Sequence, residues 1–302
     1  MSELAAVVPF GYDASFLGLD VALPRPADPT RITRDLTYTH FTVLLDPVRR
    51  LAVNTGVNID GADLVILDRP DDWYLDPRVP AEEQVGEEVY ARNDLDRGHL
   101  VRRRDPVWGE PEVAAQANVD TFAFPNAAPQ DAEFNQGKEL WLGLEDYLLT
   151  YADTYEARLS IFTAPVLADA DPVYRGVQIP LQFFKVAAWS LAPDIADAPG
   201  VLAATGYVLD QTPELDDEEL ARATARELEA GNPPPLGPYR TYQVPVADIV
   251  TLTGLDLAQL VAADQLPAPV PGESGWVRLT SVTDIRAGRL SVSPKRHRPK
   301  RG

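Results

Sequence analysis

A few short strings hold the residues whose types and spacing could do chemistry. Asp96-Arg97-Gly98-His99 carries one of the three histidines in the chain. Pro125-Asn126-Ala127-Ala128-Pro129-Gln130 and Phe134-Asn135-Gln136-Gly137 follow, then Trp141 and Leu144-Glu145-Asp146. A base, guanidinium groups, amide oxygens and a carboxylate therefore succeed one another in a single stretch. Together they could support metal-assisted cleavage of a phosphodiester.

That reaction needs an activated water, relief of charge on the phosphorane-like transition state and help for the leaving oxygen. A neutral imidazole such as that of His99 can act as general base near pH 7, because its unperturbed pKa is about 6.5. Arg97 offers a planar fork that suits phosphate oxygens, and Gly98 would let the backbone approach a ligand. A hard divalent ion such as Mg²⁺ takes oxygen ligands and keeps several waters. Asn135 is the candidate ligand, and Glu145 could hold a metal-bound water.

Composition bounds the rest. The chain has 302 residues, 45% of them hydrophobic and 24% charged, which suits a soluble globular protein with a sizeable core. It has no cysteine, so neither a disulfide framework nor a thiolate metal site exists. The sequence holds no phosphate-cradling glycine loop, no dinucleotide-binding fingerprint and no zinc motif. The net charge of −19 argues against a general nucleic-acid coat. An enzyme needs only a local positive site, and Arg97, Arg102, Arg103 and Arg104 cluster at the motif. The N-terminal residues lack a basic n-region, and no stretch approaches the ~18 apolar residues of a membrane span. The expectation is a cytoplasmic protein, or one exported without a cleaved signal peptide, with no membrane partner.

The elements that must position these residues read as follows. Residues 1–35 form an N-terminal arm, residues 36–290 one domain with an acidic excursion at 211–238, and residues 291–302 a basic tail expected to be disordered. Strands are expected at His40–Leu45, Arg50–Thr55, Leu64–Leu67, Thr121–Phe124, Arg158–Thr163, Phe183–Leu191, Val201–Leu209 and Trp276–Ser281, with an edge strand at Tyr242–Val246. Asp68–Ala91, with Pro70, Pro77 and Pro80, reads as a long loop. Apolar spacing of three to four marks an amphipathic helix near 138–153, and helical segments are expected at 214–230 and Ile249–Leu260. The fold class is α+β with a central, mainly antiparallel sheet flanked by helices.

With these residues in order, the chain resembles the DNA/RNA non-specific endonucleases of the ββα-metal superfamily, which include secreted bacterial nucleases and the mitochondrial nuclease of animals. Ile179-Pro180 with Phe183-Phe184-Lys185-Val186, and Thr253-Gly254-Leu255, are also family-like, so the resemblance spans roughly residues 38–260. It implies a ββα-metal active-site motif with His99 as the general base. Asn135 would ligate one Mg²⁺, with Mn²⁺ as a substitute, and Glu145 would bind its waters. Arg97 would contact the phosphate, while Asn126 would support His99 or the scissile group. Arg69, in Asp68-Arg69-Pro70, would match a further phosphate-binding arginine. The substrates would be DNA and RNA, cut to 5′-phosphate products. Such an activity endangers its host, which points to an inhibitor or immunity protein as a partner, and a homodimer stays open.

Two departures from the pattern matter. The ten-residue step from Asn135 to Glu145 is longer than in better-known members. On an unbroken helix it would set the two side chains about 80° apart, so Asn135 should sit at or before the helix start. Leu149 stands where some relatives carry an arginine, leaving Arg102, Arg103 and Arg104 as substitutes for that contact. Blander readings compete. Asn126 could be a turn-former, Arg102–Arg104 a solvated face, and Asp216–Glu219 an acidic first helical turn. The alternative for the whole chain is a degenerate nuclease fold that binds nucleic acid or protein without catalysis. A further rival is a structural protein whose acidic surface docks basic partners.

Overall fold

The computed structural model describes residues 11–131, 148–150, 152–154, 156–191, 200–267, 275–281 and 284–285. Strand formation follows the two-residue alternation of apolar side chains. First come β1 (Arg34–Tyr38), β2 (Phe41–Asp46) and β3 (Leu51–Asp60). Asp46 shapes the turn between β2 and β3: its Oδ1 accepts from the backbone N–H groups of Val48 at 2.8 Å and Arg49 at 2.9 Å. Every residue of β3 is buried, as expected of a strand covered on both faces.

After β3 the chain leaves the sheet for α1 (Glu87–Tyr90), β4 (Leu95–His99), α2 (Pro111–Asp120) and β5 (Ala127–Asp131). It returns at β6 (Arg158–Val166), which pairs antiparallel with β3. Residues 61–157 are therefore one excursion between neighbouring strands, and this excursion carries all the chemistry-bearing strings. A short hairpin, β7 (Val173–Tyr174) and β8 (Val177–Gln178), precedes β9 (Gln182–Leu191) and β10 (Val201–Asp210). Then follow α3 (Asp217–Glu229), β11 (Arg240–Val244), α4 (Val246–Thr253), α5 (Ala258–Ala262) and β12 (Val277–Leu279). The main sheet has eight strands in the order β1-β2-β3-β6-β9-β10-β11-β12, every described pair antiparallel. β4 and β5 form a separate two-stranded ribbon.

The sheet separates two cores. On β9, Phe183, Ala187 and Trp189 enter one core, while Phe184, Val186 and Ala188 enter the other. The first also holds Leu95, Leu100, Val101, Phe124 and Ala128, so the β4–β5 ribbon lies over that face. The opposite face is covered by Phe16, Leu17 and Val21 of the N-terminal segment, Ile249 of α4 and Leu260 of α5. Each such buried side chain contributes roughly 1.5–3 kcal/mol relative to exposure. The result is an α+β architecture in which a rigid sheet backs the site. Among the described residues no helix is long and apolar enough to cross a membrane.

Several local expectations change. Leu64–Leu67 is not a strand. It makes one bridge, Leu64 to Trp108, and one neighbouring hydrogen bond from Val65 N–H to the Val107 carbonyl at 2.9 Å. Thr121–Phe124 is a turn running into a 3-10 segment, Phe124–Asn126, because Pro125 lacks the N–H a ladder needs. The Pro-rich stretch 68–91 contains α1 and a 3-10 turn at Ala81–Glu83. β11 is not an edge strand, since β12 pairs along its outer side, and Pro245 ends it and opens α4. The acidic helix starts where Asp216 caps it, accepting from the N–H groups of Glu218 and Glu219. Residues 148–150 and 152–154 are helical. The earlier part of the 138–153 helix, with Trp141 and Leu144, and the basic tail lie outside the described residues.

Candidate active site

The first two motif strings form one ribbon. β4 and β5 pair antiparallel, with Arg97 opposite Pro129, Gly98 opposite Ala128 and His99 opposite Ala127. Beyond the ribbon, Asn126 clamps the chain that follows His99. Its Oδ1 accepts from Val101 N–H at 2.8 Å, and its Nδ2 donates to the carbonyls of Val101 and Thr121, each at 2.9 Å. The Asn126 carbonyl also accepts from Leu100 N–H at 2.9 Å. Asn126 is wholly buried, so its amide is consumed by main chain and does not face a scissile group. Its hydrogen bonds hold the main chain one and two residues beyond His99.

Gly98 makes room for the Gln130 side chain and adopts no unusual backbone angle. A Cβ there would lie 2.0 Å from Gln130 Cδ and 2.1 Å from Gln130 Oε1. The close approach expected from a ligand is made instead by a buried side chain of β5. Asp-Arg-Gly-His and Asn-Ala-Ala-Pro-Gln are thus one interlocked unit.

His99 sits in an aromatic box that the sequence reading missed. The Trp73 ring lies 4.7 Å from the imidazole at a 50° tilt, and the Phe122 ring 5.0 Å away edge-on at 87°. Trp73 is delivered by the Pro-rich loop, which is pinned to the site by two backbone bonds. Tyr74 N–H donates to the Phe122 carbonyl at 3.1 Å, and Phe124 N–H to that of Tyr74 at 2.9 Å. Aromatic side chains inside a proline-rich loop were the available signal.

His99 Nε2 is shielded from solvent and has no hydrogen-bond partner among the described residues, although the residue as a whole is only half-buried. Burial is the main cause that pushes its pKa down to about 3, with the Arg69 and Arg103 guanidinium groups adding to it. The imidazole is therefore neutral at pH 7, with a lone pair or N–H that no described residue uses.

The arginines divide. Arg69 lies with its guanidinium carbon 5.5 Å from the centre of the Phe122 ring and pairs with exposed Asp71 at 2.7 Å. Arg103 donates from Nη1 to the Leu67 carbonyl at 3.0 Å and to Asn118 Oδ1 at 3.2 Å. Arg102 and Arg104 flank it, all three half-buried. Arg97 instead pairs with Glu87 at 2.5 Å and lies 5.8 Å from the Tyr90 ring centre. Both partners are partly exposed, and such a pair is worth at most about 1 kcal/mol. A phosphate could displace Glu87 at little cost. Leu149, at the position where the sequence resemblance leads one to look for an arginine, is buried in the core on the site face.

The described residues thus supply an imidazole and guanidinium groups. Among them no group of three or more His, Cys, Asp or Glu could hold a metal ion. Asn135 and Glu145 lie outside the described residues. As an amide and a carboxylate they offer hard oxygen donors, which fit a Mg²⁺-like ion in kind.

The other histidine in a strand turn, His40, is structural. It stacks on Trp108 with ring centres 3.5 Å apart, and its Nδ1 meets the Pro106 carbonyl at 2.8 Å.

Residues 23–264 match the family model described as DNA/RNA non-specific endonuclease. An uncharacterized protein, y4fB, of Sinorhizobium fredii (strain NBRC 101917 / NGR234) is 39% identical over 297 residues, covering 91% of this chain and 42% of that protein. The mitochondrial endonuclease G of Bos taurus is 28% identical over 153 residues, covering 47% of each chain. The chain thus spans less than half the length of these curated relatives. With the family match extending over most of the sequence and over the whole β4–β5 ribbon, the chain belongs to the DNA/RNA non-specific endonuclease family.

Proposed function

We propose that this chain is a metal-dependent endonuclease that hydrolyses DNA and RNA with little sequence preference and leaves 5′-phosphate ends. The observation that carries the reading is His99: a neutral imidazole beside two arginines, whose solvent-shielded Nε2 has no partner among the described residues.

In this reading His99 takes the proton of a water whose oxygen attacks phosphorus. The phosphorus–O3′ bond breaks, and the departing oxygen takes up a proton from solvent to become a 3′-hydroxyl. Arg69 and Arg97, the latter exchanging Glu87 for the substrate, bind phosphate oxygens and offset the charge that grows on them. Asn126 positions His99 by fixing residues 100–101, and Trp73 with Phe122 keeps bulk water from the imidazole. Asn135 and Glu145 would hold the metal ion, which supplies Lewis-acid relief of phosphate charge.

The alternative of a binding module without catalysis is less well supported, because binding alone has no use for a desolvated imidazole held at a carefully fixed strand end. Location in the cytoplasm or export without a cleaved signal peptide, an inhibitor or immunity protein as partner, and dimer formation are proposals of the same reading.

The test is cleavage of plasmid, single-stranded DNA and RNA by the purified chain with Mg²⁺, with Mn²⁺ and with EDTA. Turnover of all three substrates with either ion is expected, with EDTA lowering the rate to background. Cleavage that survives EDTA, or none under any condition, would overturn the proposal.

A further inference from the structure

We propose that Arg103, oriented by Asn118, forms a second anion subsite beside His99 that takes a phosphate flanking the scissile one. This rests on the nuclease reading and adds to it which arginine of the Arg102–Arg104 run contacts substrate, and what holds it.

Arg103 is built in rather than solvated. One nitrogen, Nη1, is spent on the Leu67 carbonyl and Asn118 Oδ1. Asn118, a buried residue on α2, is itself tied down by donating Nδ2 to the Asp68 carbonyl at 2.9 Å. The guanidinium plane is thereby fixed, while Nε and Nη2 make no hydrogen bond to a described residue. Planar, pre-oriented forks of this kind suit phosphate better than a flexible ammonium does.

The charge balance points the same way. Burial and then Arg69, Arg104 and Arg102 press the Arg103 pKa below its ordinary value, and the Asp68 carboxylate opposes them only in part. Neither Arg103 nor Arg104 makes an ion pair with a described residue. A chain with 46 acidic and 27 basic residues could easily have neutralised these cations, and an incoming anion would relieve the repulsion among them. It would also act on the base. Arg103 disfavours protonation of His99, so a phosphate on Arg103 raises the proton affinity of His99 when substrate is present. Substrates with a flanking phosphate should therefore be cut faster, as well as bound more tightly.

The test uses thymidine dinucleotides with a single scissile linkage: bare, with a 5′-terminal phosphate, or with a 3′-terminal phosphate, all with Mg²⁺. In the wild type one of the two added phosphates should raise kcat/KM by about tenfold or more, the size of one charge-assisted contact. Arg103→Ala and Asn118→Ala should each bring that ratio down to about twofold or less, and Arg103→Lys should retain part of it. A role in stability alone would lower all three rates together and leave the ratio unchanged, so the ratio separates the two cases even for a weakened variant. If neither phosphate helps the wild type, or if Arg103→Ala keeps the full ratio, this proposal fails while the nuclease reading stands. If the wild type cleaves no nucleic acid at all, both fall.

Discussion

Replacing His99 with alanine is expected to lower kcat for DNA cleavage by about 10³-fold, within the range that a positioned general base contributes. The fold should tolerate the change, because the substitution removes a buried nitrogen that has no hydrogen-bond partner among the described residues. Melting temperatures of the two proteins should therefore differ by only a few degrees. The pH profile of the wild type sharpens the prediction. An imidazole at its ordinary pKa would give kcat/KM an acid limb near 6.5, whereas His99, pushed down to about 3 by burial and two arginines, should keep its base form well below that. The limb assigned to the free enzyme should lie below about pH 5. Arg69→Ala or Arg103→Ala should move it upward, because each removes a cation that opposes the proton. The same shift has a consequence for stability. The unfolded chain takes up a proton on His99 near 6.5, and the folded chain resists it down to about 3. This contribution is fully present above 6.5 and is lost as pH falls through that window, by up to tenfold in the folding equilibrium per pH unit. His99→Ala should lack that part of the acid sensitivity. Urea unfolding of both proteins between pH 7 and 4 would detect the difference.

The second large effect is expected at Asn126. Truncation to alanine leaves Val101 N–H, Val101 C=O and Thr121 C=O without their partners inside the protein. Each unsatisfied buried group costs about 1–3 kcal/mol, so a loss of roughly 3 kcal/mol or more is expected. For 302 residues, at an unfolding entropy of about 2.1 cal/mol/K per residue, that corresponds to a fall in Tm of roughly 5 °C or more. The folded fraction should also lose activity by about 10²-fold, because a shift of about 1 Å in a reacting group is enough to do so. Were Asn126 only a turn-former at the surface, the stability change would stay within about 0.5 kcal/mol. Calorimetry together with single-turnover rates separates the two outcomes.

Why some of this was legible in the sequence and some was not follows from the physics of each element. β6, β9 and β10 stay buried along nearly all of their nine or ten residues, and both faces of each find a core, so a near-continuous apolar run marks them. α3 announces itself through Asp216 and the acidic turn that follows. α2 escaped notice because Pro111–Asp120 is rich in alanine and carries no clear apolar stripe. It is fixed by tertiary packing of Ala114 and Ala117 rather than by amphipathicity. Leu64–Leu67 has strand-like residues, but only one bridge partner reaches it, and propensity without a ladder does not make a strand.

At the site, the residue types and their order were visible because chemistry constrains them. The aromatic box was not, since Trp73 and Phe122 come from loops far apart in sequence and meet only through the bridge of Tyr74 to Ala123. The occupation of the Asn126 amide by main chain, and the pairing of Arg97 with Glu87, are likewise matters of three-dimensional neighbourhood. No pattern of spacing along the chain encodes either.

The most direct measurement is hydrolysis of a defined DNA oligonucleotide with Mg²⁺ in ¹⁸O-labelled water, followed by mass analysis of the products. Attack by a water that His99 deprotonates puts one ¹⁸O into a new 5′-terminal phosphate and leaves an unlabelled 3′-hydroxyl, and His99→Ala should yield almost none of this product. An intact oligonucleotide, unlabelled or 3′-phosphorylated products, or equal yields from wild type and His99→Ala would contradict the account.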